Sequence, residues 1–163
     1  MKIADVHAHV FPEKLAVKAA GSIGQFYGAE MYCEASMERL VAEEEKAGVS
    51  RYVISSSAVV PKQVRSIVEF LAEARKGHPE CISFGSIYPG MDGYEEVLDE
   101  LQALGSRGLK IHPDFQKLPI DDPSGIETYR SIARRGLPVL MHMGDNRYDF
   151  SSPERLTNLI RQV

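Results

Sequence analysis

Short apolar runs alternate along the whole chain with stretches whose apolar positions recur every three or four residues. The first run is Lys2–Pro12, centred on Ile3, Val6 and Val10; the later ones are Tyr52–Ser56, Ile82–Tyr88, Gly108–His112 and Leu137–His142. Runs this short, bounded by glycine or proline, read as strands. Between them, Met37, Leu40, Val41 and Ala47 form one helical stripe, and Val64, Ile67, Val68, Leu71 and Ala74 a second. Val97, Leu98, Leu101 and Leu104 form a third, and Tyr129 and Ile132 mark a fourth. Spacing of this kind puts one face of a helix on a core. Leu156, Leu159 and Ile160 mark a last helix opened by Ser152-Pro153. Ser36 is placed to cap the first stripe, and Asp92 with Glu95 has the spacing of a capping box. Asp122-Pro123 has the form of an N-cap followed by proline at the first helical position.

Near the N-terminus the pattern predicts a short helix over Glu13–Ala20 and then a loop over residues 21–35 holding Gly24, Tyr27, Gly28 and Tyr32. A loop of that length is expected to cover a site. Gly48, Gly77, Gly105 and Gly136 each end a helix just ahead of a strand, at spacings of 29, 28 and 31 residues. Strands and helices alternating at this period imply a parallel sheet with right-handed crossovers. The candidates are a TIM-barrel-like (β/α)8 fold and an open doubly wound sheet. No Gly-x-Gly-x-x-Gly follows the first strand, which removes the dinucleotide-binding version of the open sheet.

The polar residues decide between the two. His7 and His9 close the first strand, Ser55–Ser57 the second, Tyr88 the third, Lys110 and His112 the fourth, and His142 the fifth. All lie near C-terminal strand ends, where barrels carry their chemistry. His78, between Gly77 and Pro79, is the exception and reads as a surface turn. A full barrel needs about 250 residues. This chain has 163 and five strands, so a single domain of about five βα units over residues 1–163 is expected. Strands one and five would then be open edges, which invite pairing with another chain, for example in a homodimer.

Composition narrows the partners. Net charge is −4 and acids and bases are mixed along the chain, so no nucleic-acid or anionic-membrane surface is expected. No apolar run approaches the ~18 residues of a spanning helix. The N-terminus leads directly into a strand bearing Asp5 and His7, so no signal peptide is expected. Cys33 and Cys81 lack metal or redox spacing and read as free thiols of a cytoplasmic protein.

The first strand carries the candidate chemistry. Alternation puts Ile3, Asp5, His7 and His9 on one face, and Ala4, Val6 and Ala8 on the other, under helices. The two imidazoles are then about 7 Å apart along the strand, and tilted rings could share one ion because a zinc–nitrogen bond is only about 2.0–2.1 Å. Asp5 is close enough to accept a ring proton and hold one tautomer. The pair alone is a weak signal, since a structural or surface role is the usual fate of a histidine.

Three motifs together carry a resemblance. Asp5-Val6-His7-Ala8-His9, then Gly108-Leu109-Lys110-Ile111-His112-Pro113, then Leu137-Pro138-Val139-Leu140-Met141-His142-Met143-Gly144 resemble the amidohydrolase superfamily of metal-dependent hydrolases. The match is to its amidohydrolase-2 branch, which includes relatives of aminocarboxymuconate-semialdehyde decarboxylase, and it covers nearly the whole chain. The resemblance implies that His7, His9 and His142 are metal ligands for one divalent ion, with zinc favoured. It implies a small-molecule substrate bearing a carboxylate or amide. Lys110, His112, Tyr88 and Arg147 are the candidate substrate contacts, each with a structural reading beside the functional one. Lys110 stands where binuclear relatives carry a carbamylated lysine and is not expected to be a ligand.

The resemblance also exposes a gap. Family members carry a histidine after strand six and an aspartate after strand eight, and those positions would lie beyond Val163. Asp145 is poorly placed to substitute. The expectation is the N-terminal part of a metal-dependent hydrolase. A non-oxidative decarboxylase of the same branch and a non-catalytic relative that binds a metabolite or partner are the alternatives, and a histidinol-phosphatase-type phosphoesterase is weaker still.

Overall fold

The structure, a computed structural model, describes residues 2–163. Five parallel strands pair strictly in chain order: β1 (Ile3–His9), β2 (Val49–Ser55), β3 (Cys81–Ser86), β4 (Gly108–Ile111) and β5 (Val139–Met141). A doubly wound sheet reverses its order at a switch point; this one never does, and it curls into half of a (β/α) barrel. Seven helices accompany the strands. They are α1 (Glu13–Tyr27), α2 (Met37–Ala47), α3 (Val64–Ala74), α4 (Tyr94–Ala103), α5 (Pro113–Gln116), α6 (Ile126–Arg134) and α7 (Pro153–Ile160). Helices α2, α3, α4 and α6 are the crossovers. Helices α1 and α5 are insertions at the C-terminal ends of β1 and β4, the face on which a barrel builds its site.

The local signals explain most boundaries. Ser36 Oγ accepts from Arg39 N–H and Ser152 Oγ from Arg155 N–H, capping α2 and α7. Asp122 accepts from Ser124 N–H, and Pro123 opens a single 3₁₀ turn that leads into α6. Gly48 ends α2 with φ +69°, a conformation that side chains other than glycine resist. The stripes of α3, α4 and α6 meet the strands in a core of Val68, Leu98, Leu101, Leu109, Ile111 and Ile132. A second cluster of Val10, Tyr52, Ile54, Leu71 and Cys81 lies between β1, β2 and α3.

Three expectations are corrected. The helix after Pro12 does not stop at Ala20 but runs to Tyr27, so residues 21–27 are helix rather than loop. Glycine inside a helix costs about 1 kcal/mol relative to alanine, yet Gly24 is needed there. A Cβ at Gly24 would lie 2.6 Å from the Ala29 carbonyl oxygen, which folds back against the helix end, and Ala29 N–H donates to Gly24 O at 3.0 Å. Second, α4 has no capping box. Its N-cap is Gly93, and the Glu95 carboxylate accepts from Ser131 Oγ (2.8 Å) and pairs with Arg135 (2.7 Å), tying α4 to α6.

The third correction concerns β1. Its register against β2 slips between Asp5 and Ala8, where three steps on β1 match two on β2. Such a bulge interrupts the alternation of faces. Asp5 and Ala8 therefore stand opposite Tyr52 and Ile54 on the helix side, while His7 and His9 face inward. Asp5 neighbours the Glu44 carboxyl of α2 and accepts the His7 backbone N–H (2.7 Å) rather than a ring proton. Burial and the neighbouring Asp5 push the Glu44 carboxyl above its usual range. Of the apolar set Ala4, Val6 and Ala8, only Ala8 is buried; Val6 is 64% exposed because β1 pairs on one side only.

Candidate metal and ligand site

The C-terminal strand ends enclose a cavity of about 860 Å³, with α1 along one side. His7 and His9 reach it from β1, Lys110 and His112 from β4 and the residue after it, and His142 from just beyond β5. His142 is held there because its N–H donates to Ile111 O (3.0 Å), extending the β4–β5 ladder by one residue. Helix α5 adds Asp114 and Phe115, and α1 adds Tyr27. The opposite wall is apolar, with Leu15, Ile23 and Phe26 facing Val59, Ile67 and Phe70.

On the β1 side, Lys110 Nζ lies 2.9 Å from His7 Nε2. An ammonium group only donates, so His7 Nε2 accepts and the ring proton sits on Nδ1. Lys110 is fully buried, and desolvation pulls its amine down to about 8. His9 Nδ1 is 3.5 Å from Ser55 Oγ, whose own proton goes to Ala8 O at 3.3 Å. His9 Nδ1–H is therefore the donor and Nε2 keeps a free lone pair, the form a metal requires. The two rings are 5.1 Å apart and tilted by 60°. Burial first, and the Lys110 charge second, lower both imidazoles, His9 to about 4.

On the β4–β5 side, His112 caps the short helix α5, its Nδ1 accepting from Phe115 N–H (3.3 Å). Its ring lies flat between Phe115 (3.6 Å) and His142 (3.9 Å). Tyr27 Oη is 2.9 Å from His112 Nε2 and 3.4 Å from His142 Nε2. Asp114 is 1% exposed, and neither of its carboxylate oxygens has a hydrogen-bond partner. His142 Nε2 lies 3.8 Å from Asp114 Oδ2, beyond hydrogen-bond distance. Burial lowers His142 while Asp114 opposes that shift, and burial pushes His112 down to about 3. His112, Asp114 and His142 each offer a donor atom within 4.8 Å of the others. Among the described residues this is the group that could share one cation, and His7 and His9 are not members of it. A buried carboxylate without a partner is the kind of group a divalent cation satisfies.

The other sequence candidates lie outside the cavity. Tyr88 packs against the core and donates to Gln116 O (3.2 Å). Arg147 pairs with Asp145 (2.6 Å), holding that carboxyl down to about 2, and donates to the Phe26 carbonyl. Its guanidinium lies over the rings of Phe26 (4.5 Å), Tyr27 (5.2 Å) and Tyr148 (5.6 Å), so it braces the end of α1. His78 pairs with Glu80 at a turn, as expected. Asp114 and Lys117 line the cavity although the sequence pattern did not mark them, and Tyr27 lines it from the segment expected to cover a site. Asp114 did leave a signal, two residues past His112. Lys117 has φ +53°, the one positive φ at a non-glycine residue in the described chain.

Residues 4–162 match the family model described as Amidohydrolase. No curated protein matches the chain by sequence. Among solved structures, it is similar to a protein of Acinetobacter baumannii described as a "probable 2-pyrone-4,6-dicarboxylic acid hydrolase", crystallised with citric acid. That match has TM-score 0.63 and 18% identity, over 99% of this chain and 54% of the other. It is also similar to 5-carboxyvanillate decarboxylase of Novosphingobium aromaticivorans with bound manganese, at TM-score 0.68 and 15% identity, over 88% and 51%. A third is 2,6-dihydroxybenzoate decarboxylase, at TM-score 0.60 and 17% identity, over 89% and 51%. The chain thus spans about half the length of each of these.

Proposed function

Because this chain belongs to the amidohydrolase family, we propose that it carries the metal-binding half of a hydrolase acting on a small carboxylate- or amide-bearing molecule. The observation that carries this reading is the buried, unpartnered Asp114 carboxylate facing the cavity beside His142. Asp114 and His142 are the groups placed to hold one divalent ion. His9, with Nε2 free, and His7, once Lys110 releases its Nε2, would complete the set only by moving toward them, since neither is within reach of that group. Zinc suits a set of imidazoles with a carboxylate, and manganese in one structural neighbour is the alternative. Such an ion, when bound, supplies Lewis acidity and a water acidified to a pKa of about 7.

The chain's own groups orient the substrate. Lys110 and Lys117 give the cavity cationic character suited to a carboxylate, and the wall of Leu15, Ile23, Phe26 and Phe70 keeps water from the substrate's apolar part. A second reading, non-oxidative decarboxylation, is favoured by that same apolar wall beside Lys110, because a desolvated carboxylate is poised to lose carbon dioxide. Free Cys33 and Cys81 agree with a cytoplasmic site of action, and no helix among the described residues is long and apolar enough to cross a membrane.

The test is metal analysis of purified protein and of Asp114→Asn and His7→Ala/His9→Ala variants, with zinc and manganese supplied in turn. About one equivalent in the parent and a loss in the variants is expected. Equal metal content in all three sinks the reading. Incubation with aromatic and aliphatic carboxylates and amides then separates hydrolysis from release of carbon dioxide. Metal binding with neither product favours a non-catalytic, ligand-binding relative.

A further inference from the structure

Among the three groups within reach of a shared ion, His112 differs in what its other nitrogen does. It caps α5 by accepting Phe115 N–H on Nδ1 (3.3 Å). A ring nitrogen that accepts carries no proton, and a neutral imidazole has one proton to place. That proton is on Nε2, which points into the cavity and meets Tyr27 Oη at 2.9 Å. The tyrosine proton then serves His142 Nε2 at 3.4 Å. The hydrogen bonds run one way, from His112 Nε2–H to Tyr27 Oη–H to His142 Nε2.

The ring has no room to reverse. Phe115 stacks on it at 3.6 Å with planes 1° apart, and His142 at 3.9 Å with planes 9° apart. A flipped ring would present carbon to Phe115 N–H and give up the cap. The proton on Nε2 also keeps that nitrogen from ligating a metal while the cap is in place. Tyr27, by contrast, is 39% exposed and sits on the last turn of α1, ahead of Gly28. It is the least enclosed of the three, His112 being buried and His142 mostly so.

We propose that His112 is a fixed-tautomer hydrogen-bond donor for an oxygen of the substrate's carboxylate or amide, and that the Tyr27 hydroxyl occupies the position of that oxygen until the substrate enters. His142 and Asp114 remain for the cation. The inference rests on the family reading for the substrate class but not on any metal being bound. It turns the end of α1, braced by Arg147, into a plug that competes with the ligand.

The test uses the full chain with histidine labelled in nitrogen-15, and benzoate as the probe carboxylate. Side-chain NMR is expected to show His112 protonated on Nε2 and not on Nδ1, in the parent and in Tyr27→Phe. Removing the competing hydroxyl is expected to tighten benzoate binding about three- to tenfold, the weight of one neutral hydrogen bond. Benzoate is expected to shift the His112 Hε2 resonance in both proteins, and His112→Gln is expected to lose most of the affinity. A proton on Nδ1 overturns the inference, as does an unchanged benzoate affinity in Tyr27→Phe or no binding to either protein. Absence of metal with the tautomer and benzoate results intact removes the metalloenzyme reading and leaves this one standing.

Discussion

Lys110 Nζ lies 2.9 Å from His7 Nε2, joining β4 to β1 across 103 residues of sequence inside the half-barrel. A fully buried ammonium group with an imidazole as its acceptor is an arrangement of high electrostatic cost. The Lys110 charge is also felt at His9, His112 and His142, lowering each of them.

Replacing Lys110 by methionine is therefore expected to raise the pKa of all four cavity histidines. His7 should move most visibly, since its Nε2 lies 2.9 Å from Lys110 Nζ. His9 and His112 should stay below the ordinary value, because burial is their leading cause. Histidine NMR titrations of the two metal-free proteins check this, and unchanged curves refute it.

The metal-free protein is expected to lose stability as pH falls from about 6.5 to about 4. The sign follows from the lowered imidazoles. In that window the unfolded chain takes up protons that folded His9 and His112 refuse, so acid favours unfolding. For His9, a displacement from 6.5 to about 4 corresponds to on the order of 3 kcal/mol across the whole window. Urea midpoints at pH 7, 6, 5 and 4 measure it; a flat profile would contradict the burial of these rings.

Asp114→Asn should act in opposite directions on folding and on binding. Without metal, removing an unpartnered buried charge is expected to stabilise the protein by about 1–3 kcal/mol. Affinity for a divalent ion is expected to fall at least tenfold. Thermal denaturation with and without zinc reads both, and a variant destabilised in both conditions would assign Asp114 a purely structural part.

Val6, 64% exposed on the edge strand β1, is a probe for edge pairing between two copies. If the chain self-associates through that edge, Val6→Lys is expected to shift it to monomer, since a charged edge residue resists strand addition. Sedimentation across a concentration series checks this. An unchanged distribution would remove β1 from the interface.

Gly108 opens β4 against the ring of Phe84, where a Cβ would come within 2.6 Å of Phe84 Cζ. Gly108→Ala is expected to destabilise the fold by about 1–3 kcal/mol through overpacking. A Phe84→Leu background should relieve part of that loss in denaturant titrations.

The alternation of strands and helices, their parallel order and the gathering of His7, His9, Lys110, His112 and His142 at one end of the sheet were all legible in the chain. Each follows from local periodicity, from glycine and proline at element ends, and from the rule that consecutive βα units lie side by side. What misled was equally local. Gly21 and Gly24 read as breaks, although α1 passes through them because Gly24 is packed on Ala29. Strict alternation put Asp5 beside His7, although the slip against β2 turns it toward Glu44.

By itself, then, the sequence determined a half-barrel of βα units with its histidines at the strand ends, because periodicity and capping act within a few residues. Tertiary structure alone decided that Asp114 lies unpartnered beside His142, that Lys110 holds His7, and that Tyr27 reaches His112 and His142. Those contacts join residues 28, 103, 85 and 115 positions apart. They depend on a bulge, a helix end and the curl of the sheet, and no pattern within one element encodes them.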